Sequence, residues 1–92
     1  MPEYGLVHLL DLPEERLEII ELVVSDDAPA VGREVQELNM PEGSLVISVL
    51  REDGGFVPTA DTVILAGDEV LVVLDPGLEK DITAHFVTNG NR

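Results

Sequence analysis

Two histidines, three serines and nineteen carboxylates are the side chains in this 92-residue sequence that could carry chemistry. Nucleophilic catalysis needs a serine or cysteine held against a base, and a metal site needs ligands at a recurrent spacing. Neither pattern is present. His8 lies in an apolar run and His85 beside Phe86, with no ligand spacing between them. Ser25, Ser44 and Ser48 lack the glycine-flanked turn of a hydrolase elbow, and there is no cysteine. The acidic pairs Glu14-Glu15 and Asp26-Asp27 have no companion ligands, and Asp53-Gly54-Gly55 is far too short for a calcium loop. Gly54-Gly55 reads as a hairpin turn and not as a phosphate-binding loop, because no strand leads through it into a long helix. Gly67-Asp68 reads as a tight turn whose aspartate satisfies nearby backbone donors. No catalytic residue, metal site or resident cofactor is expected, and the chain does not read as an enzyme.

Charge removes further classes of function. Five basic residues stand against nineteen acidic ones, a formal charge of -14. Arg16, Arg33, Arg51, Lys80 and Arg92 are scattered, whereas binding nucleic acid or anionic lipid requires clustered cations to displace counterions. No apolar run approaches the 18 or so residues of a membrane span, and the opening Met1-Pro2-Glu3-Tyr4 lacks the basic and apolar stretches of a signal peptide. The expected location is the cytoplasm, with any membrane association made through a partner. The acid excess reads as a solvated surface; a salt-rich cytoplasm would suit it as well.

The elements that must position these residues follow from turn chemistry and hydrophobic period. Residues 4–12 are apolar without clean alternation and read as a short strand or a packed linker. Ile19–Val24 is β-branched and reads as a strand. Ser25-Asp26-Asp27-Ala28-Pro29 is a turn. Val31, Val35 and Leu38 then recur at helical spacing, with Asp26 or Asp27 placed to cap. Met40-Pro41-Glu42-Gly43 ends that segment. Leu45–Arg51, almost wholly apolar, reads as the central strand. Asp53-Gly54-Gly55 turns the chain, Phe56-Val57 begins the return, and Pro58 ends it or places it at an edge. Val63-Ile64-Leu65 is a further apolar stretch. Glu69–Leu74 is the last strand, and Leu78, Ile82 and Phe86 mark a C-terminal helix. The expected architecture is α+β: a small mixed or antiparallel sheet with two short helices. Residues 1–16 form a lead-in segment or linker, 17–88 the domain, and 89–92 a frayed tail.

The order of these pieces resembles the C-terminal domain of potassium-transport regulators, the RCK C-terminal or TrkA-C domain. The resemblance runs from about Glu18 to Phe86. It rests on Glu21-Leu22-Val23-Val24, on Ala30-Val31-Gly32-Arg33-Glu34-Val35, on the apolar strand ending in Arg51, on Pro58 after the hairpin and on Gly67-Asp68 before the last strand. It implies a non-enzymatic regulatory, ligand-sensing and dimerisation domain that controls a potassium transport system at the cytoplasmic face of a transporter. The implied partners are a second copy of the chain, a potassium transporter membrane subunit and a Rossmann-type regulatory domain. A small-ligand sensor of another cation carrier, such as a cation–proton antiporter, and a ligand-free dimerisation module are the alternatives.

In several members of that family, a groove at the dimer interface binds cyclic di-AMP. Carried over, the groove draws on Asn39, Leu45, Val46, Ile47, Phe56, Val57 and Pro58. Pro58 matches. The arginine and asparagine that nucleotide-binding members place before and at the start of the central strand correspond here to Asn39 and Leu45, so the charged anchor is missing. A dianion would also approach a strongly negative protein. Dimerisation has an independent motive: a chain this short has little stability to spare, and two short helices do not cover both faces of so apolar a sheet.

Overall fold

A computed structural model describes residues 6–12 and 17–88. Residues 1–5, 13–16 and 89–92, which hold most of the expected lead-in that precedes and follows the first strand as well as the expected frayed tail, lie outside the described residues. Five strands form one sheet: β1 (Leu6–Leu12), β2 (Leu17–Val23), β3 (Ser44–Arg51), β4 (Gly54–Phe56) and β5 (Glu69–Leu74). Among the described residues there is one α-helix, α1, at Glu79–Phe86. The strand order is β1-β2-β5-β3-β4. Every neighbouring pair is antiparallel.

The central position therefore belongs to β5, between β2 and β3, and not to the Leu45–Arg51 strand. Burial follows this order. Along β5, Val70, Val72 and Leu74 are buried while Glu69, Leu71 and Val73 alternate with them on the other face. In β3 only Val46 and Val49 are buried, and Leu45 and Leu50 are exposed. The three-residue spacing of Val46 and Val49 comes from a register shift between Val46 and Ser48, which leaves Ile47 without a partner across the strand. One extra residue restores the inward face further along. A continuous apolar run cannot by itself distinguish a strand buried on two faces from one buried on one.

The core fills one side of the sheet. Ile20, Leu22, Val46, Val49, Val70, Val72 and Leu74 meet Ile82 and Phe86 of α1 there, together with Ala30, Leu38 and Ile64 from the connections. The four-residue spacing of Ile82 and Phe86 sets both on one helical face. Backbone amides from the β2–β3 connection close the end of α1, where helical carbonyls have no partner within the helix. Ser25 N donates to Phe86 O at 2.8 Å and Ala30 N to His85 O at 3.0 Å.

The helix expected around Val31–Leu38 is absent as an α-helix; one turn of 3-10 helix at Val35–Glu37 replaces it. Two causes are visible. Gly32 takes φ +83°, outside right-handed helix. The amides of Val35 and Gln36 donate to Thr62 O (2.9 Å) and Ala60 O (3.0 Å) across the molecule and not to carbonyls one turn back. The apolar residues nonetheless face inward: Leu38 is buried, and Val31 and Val35 pack on the core. Asp26 and Asp27 lie in a turn and cap no helix. The 57–68 connection forms no full strand; its one bridge joins Val63 to Glu34. Gly32 N to Ile64 O (2.8 Å) and Ile64 N to Arg33 O (3.0 Å) flank that bridge, so two loops are stitched together over the core.

Candidate functional site

The most highly constructed polar site is at the β3 terminus. Arg51 is the last residue of β3, and Asp68 immediately precedes β5. Arg51 Nε donates to Asp68 Oδ1 at 2.8 Å, and its Nη2 donates to Asp68 Oδ2 at 2.9 Å. The planar guanidinium thus meets the carboxylate as a fork. Asp68 is only 2% exposed. Its Oδ2 also accepts from Leu65 N at 2.9 Å, closing the turn that Gly67-Asp68 suggested in the sequence. Arg51 Nη2 donates to Val63 O at 2.6 Å, and the guanidinium lies 5.0 Å from the centroid of the Phe56 ring. The Asp68 hydrogen bond, chiefly, raises the Arg51 pKa further above its usual value.

One cation therefore ties β3, the 57–68 connection, β4 and the start of β5 together. An open hollow of about 520 Å³ adjoins the pair, bordered by Asp53, Leu65 and Gly67 among others. The guanidinium is committed to Asp68 and Val63, so it has little left to offer an anion. Its work here is to fix the loop. Arg51 and Gly67-Asp68 both stood out as sequence features; that they pair across 17 residues has no periodic signal.

The seven residues expected to line a ligand groove fall into separate surroundings. Val46 is buried in the core, and Leu45 is 62% exposed on the opposite face of the sheet. Ile47 is at the β3 irregularity. Phe56 pairs with Val49 and carries Arg51 on its ring, on the core side of the sheet's β4 edge. Val57 is 78% exposed and Pro58 half-buried in the following loop. Asn39, at φ +55°, lines a different cleft with Pro29, Arg33, Glu37, Leu38 and His85. Within one chain, these seven do not converge. In that second cleft His85 Nδ1 donates to Asp81 O at 3.0 Å, which fixes the ring over the last turn of α1. No group of three or more metal-ligating side chains occurs among the described residues.

The outer face of the sheet was anticipated only as surplus apolar surface, and it has a definite composition. Cross-strand register sets Ile19, Val73 and Leu45 in one row, Glu21, Leu71 and Ser48 in the next, and Val23, Glu69 and Leu50 in the third. Val23, Leu45 and Leu50 are exposed, and Ile19, Leu71 and Val73 are half-covered. Glu21 and Glu69 stand diagonally across β2 and β5 in the middle of this surface. Burial pushes the Glu21 carboxyl above its usual range, and the Glu69 charge and a hydrogen bond between the two carboxyls push it further.

Residues 19–86, the span from β2 through α1, match the family model of the TrkA-C domain. The chain belongs to the TrkA-C family. That family is generally regulatory for potassium transport. This TrkA-C domain is 38% identical over 72 residues to a Trk system potassium uptake protein TrkA homolog of Pyrococcus abyssi, covering 77% of this chain and 32% of that protein. A homolog of the same description from Pyrococcus horikoshii is 39% identical over 62 residues, covering 66% of this chain and 27% of the other. The TrkA protein of Mycobacterium tuberculosis is 28% identical, over 85% and 36% of the two chains. The TrkA-C domain thus spans about a third of the length of these relatives. The fold is also that of the crystal structure of the GsuK RCK domain: TM-score 0.73 and 21% identity, covering 90% of this chain and 18% of that one. No helix among the described residues is long and apolar enough to cross a membrane.

Proposed function

We propose that this chain is a dimerising regulatory module of a potassium transport system, acting at the cytoplasmic face of the membrane through a transporter subunit or a Rossmann-type regulatory domain. The match of residues 19–86 to the TrkA-C domain carries the reading, since the relatives it aligns with are named as Trk potassium uptake proteins. The outer sheet face is the dimer surface in this reading. A twofold contact uses the same patch on both copies, and a face of Ile19, Val23, Leu45, Leu50, Leu71 and Val73 is apolar enough to exclude water on pairing.

A ligand groove drawn from Asn39, Leu45, Val46, Ile47, Phe56, Val57 and Pro58 would have to take residues from both copies, because one chain separates them. Cyclic di-AMP is the ligand to try first, by calorimetry on the dimer. The functional reading is tested by co-purifying the chain with the Trk-type membrane subunit and Rossmann-type regulator of the same cell, in purified form. Stable complex formation with either supports it. No binding to either, alone or together, refutes it.

A further inference from the structure

The second cleft, of about 340 Å³, lies within one chain and shares no residue with the outer sheet face or with the Arg51–Asp68 fork. Its volume falls in the range of small-molecule sites, about 300–1,000 Å³. Local structure assembles it. Ala30 N donates to His85 O at 3.0 Å, which sets the last turn of α1 beside Pro29. The 3-10 turn at Val35–Glu37 brings Arg33, Glu37 and Asn39 to the border of the same hollow. Exposed Pro29 and buried Leu38 give it apolar walls.

The polar groups of this cleft are of two kinds. Arg33 brings guanidinium donors and Asn39 an amide donor, the set that recognises a carboxylate. Glu37 and His85 bring acceptors. Glu37 Oε1 accepts from Glu34 N at 2.8 Å, which fixes that side chain and leaves Oε2. Because His85 Nδ1 donates to Asp81 O, the neutral ring keeps its lone pair on Nε2. Among the described residues, neither Arg33 nor Glu37 enters an ion pair. A net anion suits this cleft poorly, since it meets Glu37 and a chain of charge -14. A net cation meets Arg33.

We infer that the cleft binds a small zwitterion, an α-amino acid with an apolar side chain. Its carboxylate lies on Arg33 and Asn39, its ammonium on Glu37 and His85 Nε2, and its side chain against Pro29 and Leu38. Such a ligand matches both charges of the cleft and carries no net charge for the acidic chain to repel. Bound there, it links the β2–β3 connection to the end of α1. The inference goes beyond the transporter reading and needs no second copy.

The test is titration of the 15N-labelled 92-residue chain with L-leucine, read by NMR. The amides of Arg33, Glu37, Leu38, Asn39 and His85 should shift together and saturate, with a dissociation constant on the order of 1 mM because exposed charges are screened. Arg33→Ala and Glu37→Gln should each weaken binding by about fivefold or more. Both side chains are exposed, and the glutamine amide oxygen can still accept from Glu34 N, so both variants should fold. N-acetyl-L-leucine, which lacks the ammonium, and L-leucinamide, which lacks the carboxylate, should bind more weakly by a similar factor. No shift of these amides at about 10 mM leucine overturns the inference. Unchanged leucine binding in either variant does the same. N-acetyl-L-leucine or inorganic phosphate binding as tightly as leucine would make this a simple anion site, and leucinamide doing so a cation site; either result overturns the zwitterion. None of these failures touches the potassium-transport reading, which co-purification tests separately.

Discussion

Arg51 and Asp68 close the turn that ends the 57–68 connection: the guanidinium fork, 2.8 and 2.9 Å from the two carboxylate oxygens, sets β3 against the start of β5. An ion pair with one nearly buried member contributes less than its contacts suggest, because both charges leave water. Its removal on one side is a different matter, since the carboxylate is then stranded.

Arg51→Ala should therefore destabilise the fold by about 3–5 kcal/mol. Arg51→Lys keeps the charge but not the fork, nor the donor to Val63 O, and should lose about 1–2 kcal/mol. Urea denaturation of the three proteins checks this. An alanine variant within about 0.5 kcal/mol of wild type would show that the pair is incidental.

Gly43 has φ +93°, and a Cβ there would come 2.5 Å from Asp75 Oδ2. Its carbonyl accepts from Asp75 N at 2.9 Å, so the backbone cannot easily move away. Gly43→Ala should cost about 1–3 kcal/mol, whereas Gly43→Ala with Asp75→Ala should recover the steric part and keep the conformational part. Thermal melts of the single and double variants separate the two terms.

Leu45 is exposed on the outer face, so Leu45→Asp should leave the monomer fold nearly unchanged and weaken self-association by at least about tenfold. Because each copy carries a charge of -14, wild-type pairing should tighten as salt rises past about 0.15 M and screens the repulsion beyond about 8 Å. Sedimentation equilibrium over micromolar concentrations reads both effects. Unchanged association in the aspartate variant would place the contact elsewhere.

The raised Glu21 pKa also bears on folding. Its folded value lies above the usual 4.5, so the contribution to stability is full below that value and is lost as pH rises through the raised one. Glu21→Gln should flatten this part of the profile and leave the variant more stable than wild type near neutral pH. Chemical denaturation at stepped pH, at concentrations too low for pairing, tests the sign. Parallel profiles for the two proteins would contradict it.

Phe86 is fully buried and anchors α1 against the sheet beside Ile82. Its backbone carbonyl also takes the Ser25 amide. Phe86→Ala should cost about 3–5 kcal/mol through the cavity it leaves. Given the thin margin of a chain this size, the variant should show a melting temperature lowered by at least about 10 °C.

The sequence by itself determined the α+β class, the three strands read at Ile19–Val24, Leu45–Arg51 and Glu69–Leu74, which fold as Leu17–Val23, Ser44–Arg51 and Glu69–Leu74, and the helix through Ile82 and Phe86. β-branched runs and four-residue spacing are local signals, and local geometry obeys them. The order of motifs from β2 to α1 was enough to place the chain beside the TrkA-C domain, which residues 19–86 match. Long-range pairing was not legible. The spacing of Val31, Val35 and Leu38 promised a helix, but the Val35 and Gln36 amides found partners at Thr62 and Ala60. The most apolar strand proved not to be the central one, because strand order depends on which edges meet and not on how apolar each strand is. The Arg51–Asp68 fork and the diagonal Glu21–Glu69 pair arise from registers between strands far apart in sequence. Such contacts have no period to read: only the folded sheet brings those side chains within reach, and only there do burial and neighbouring charge change what they do.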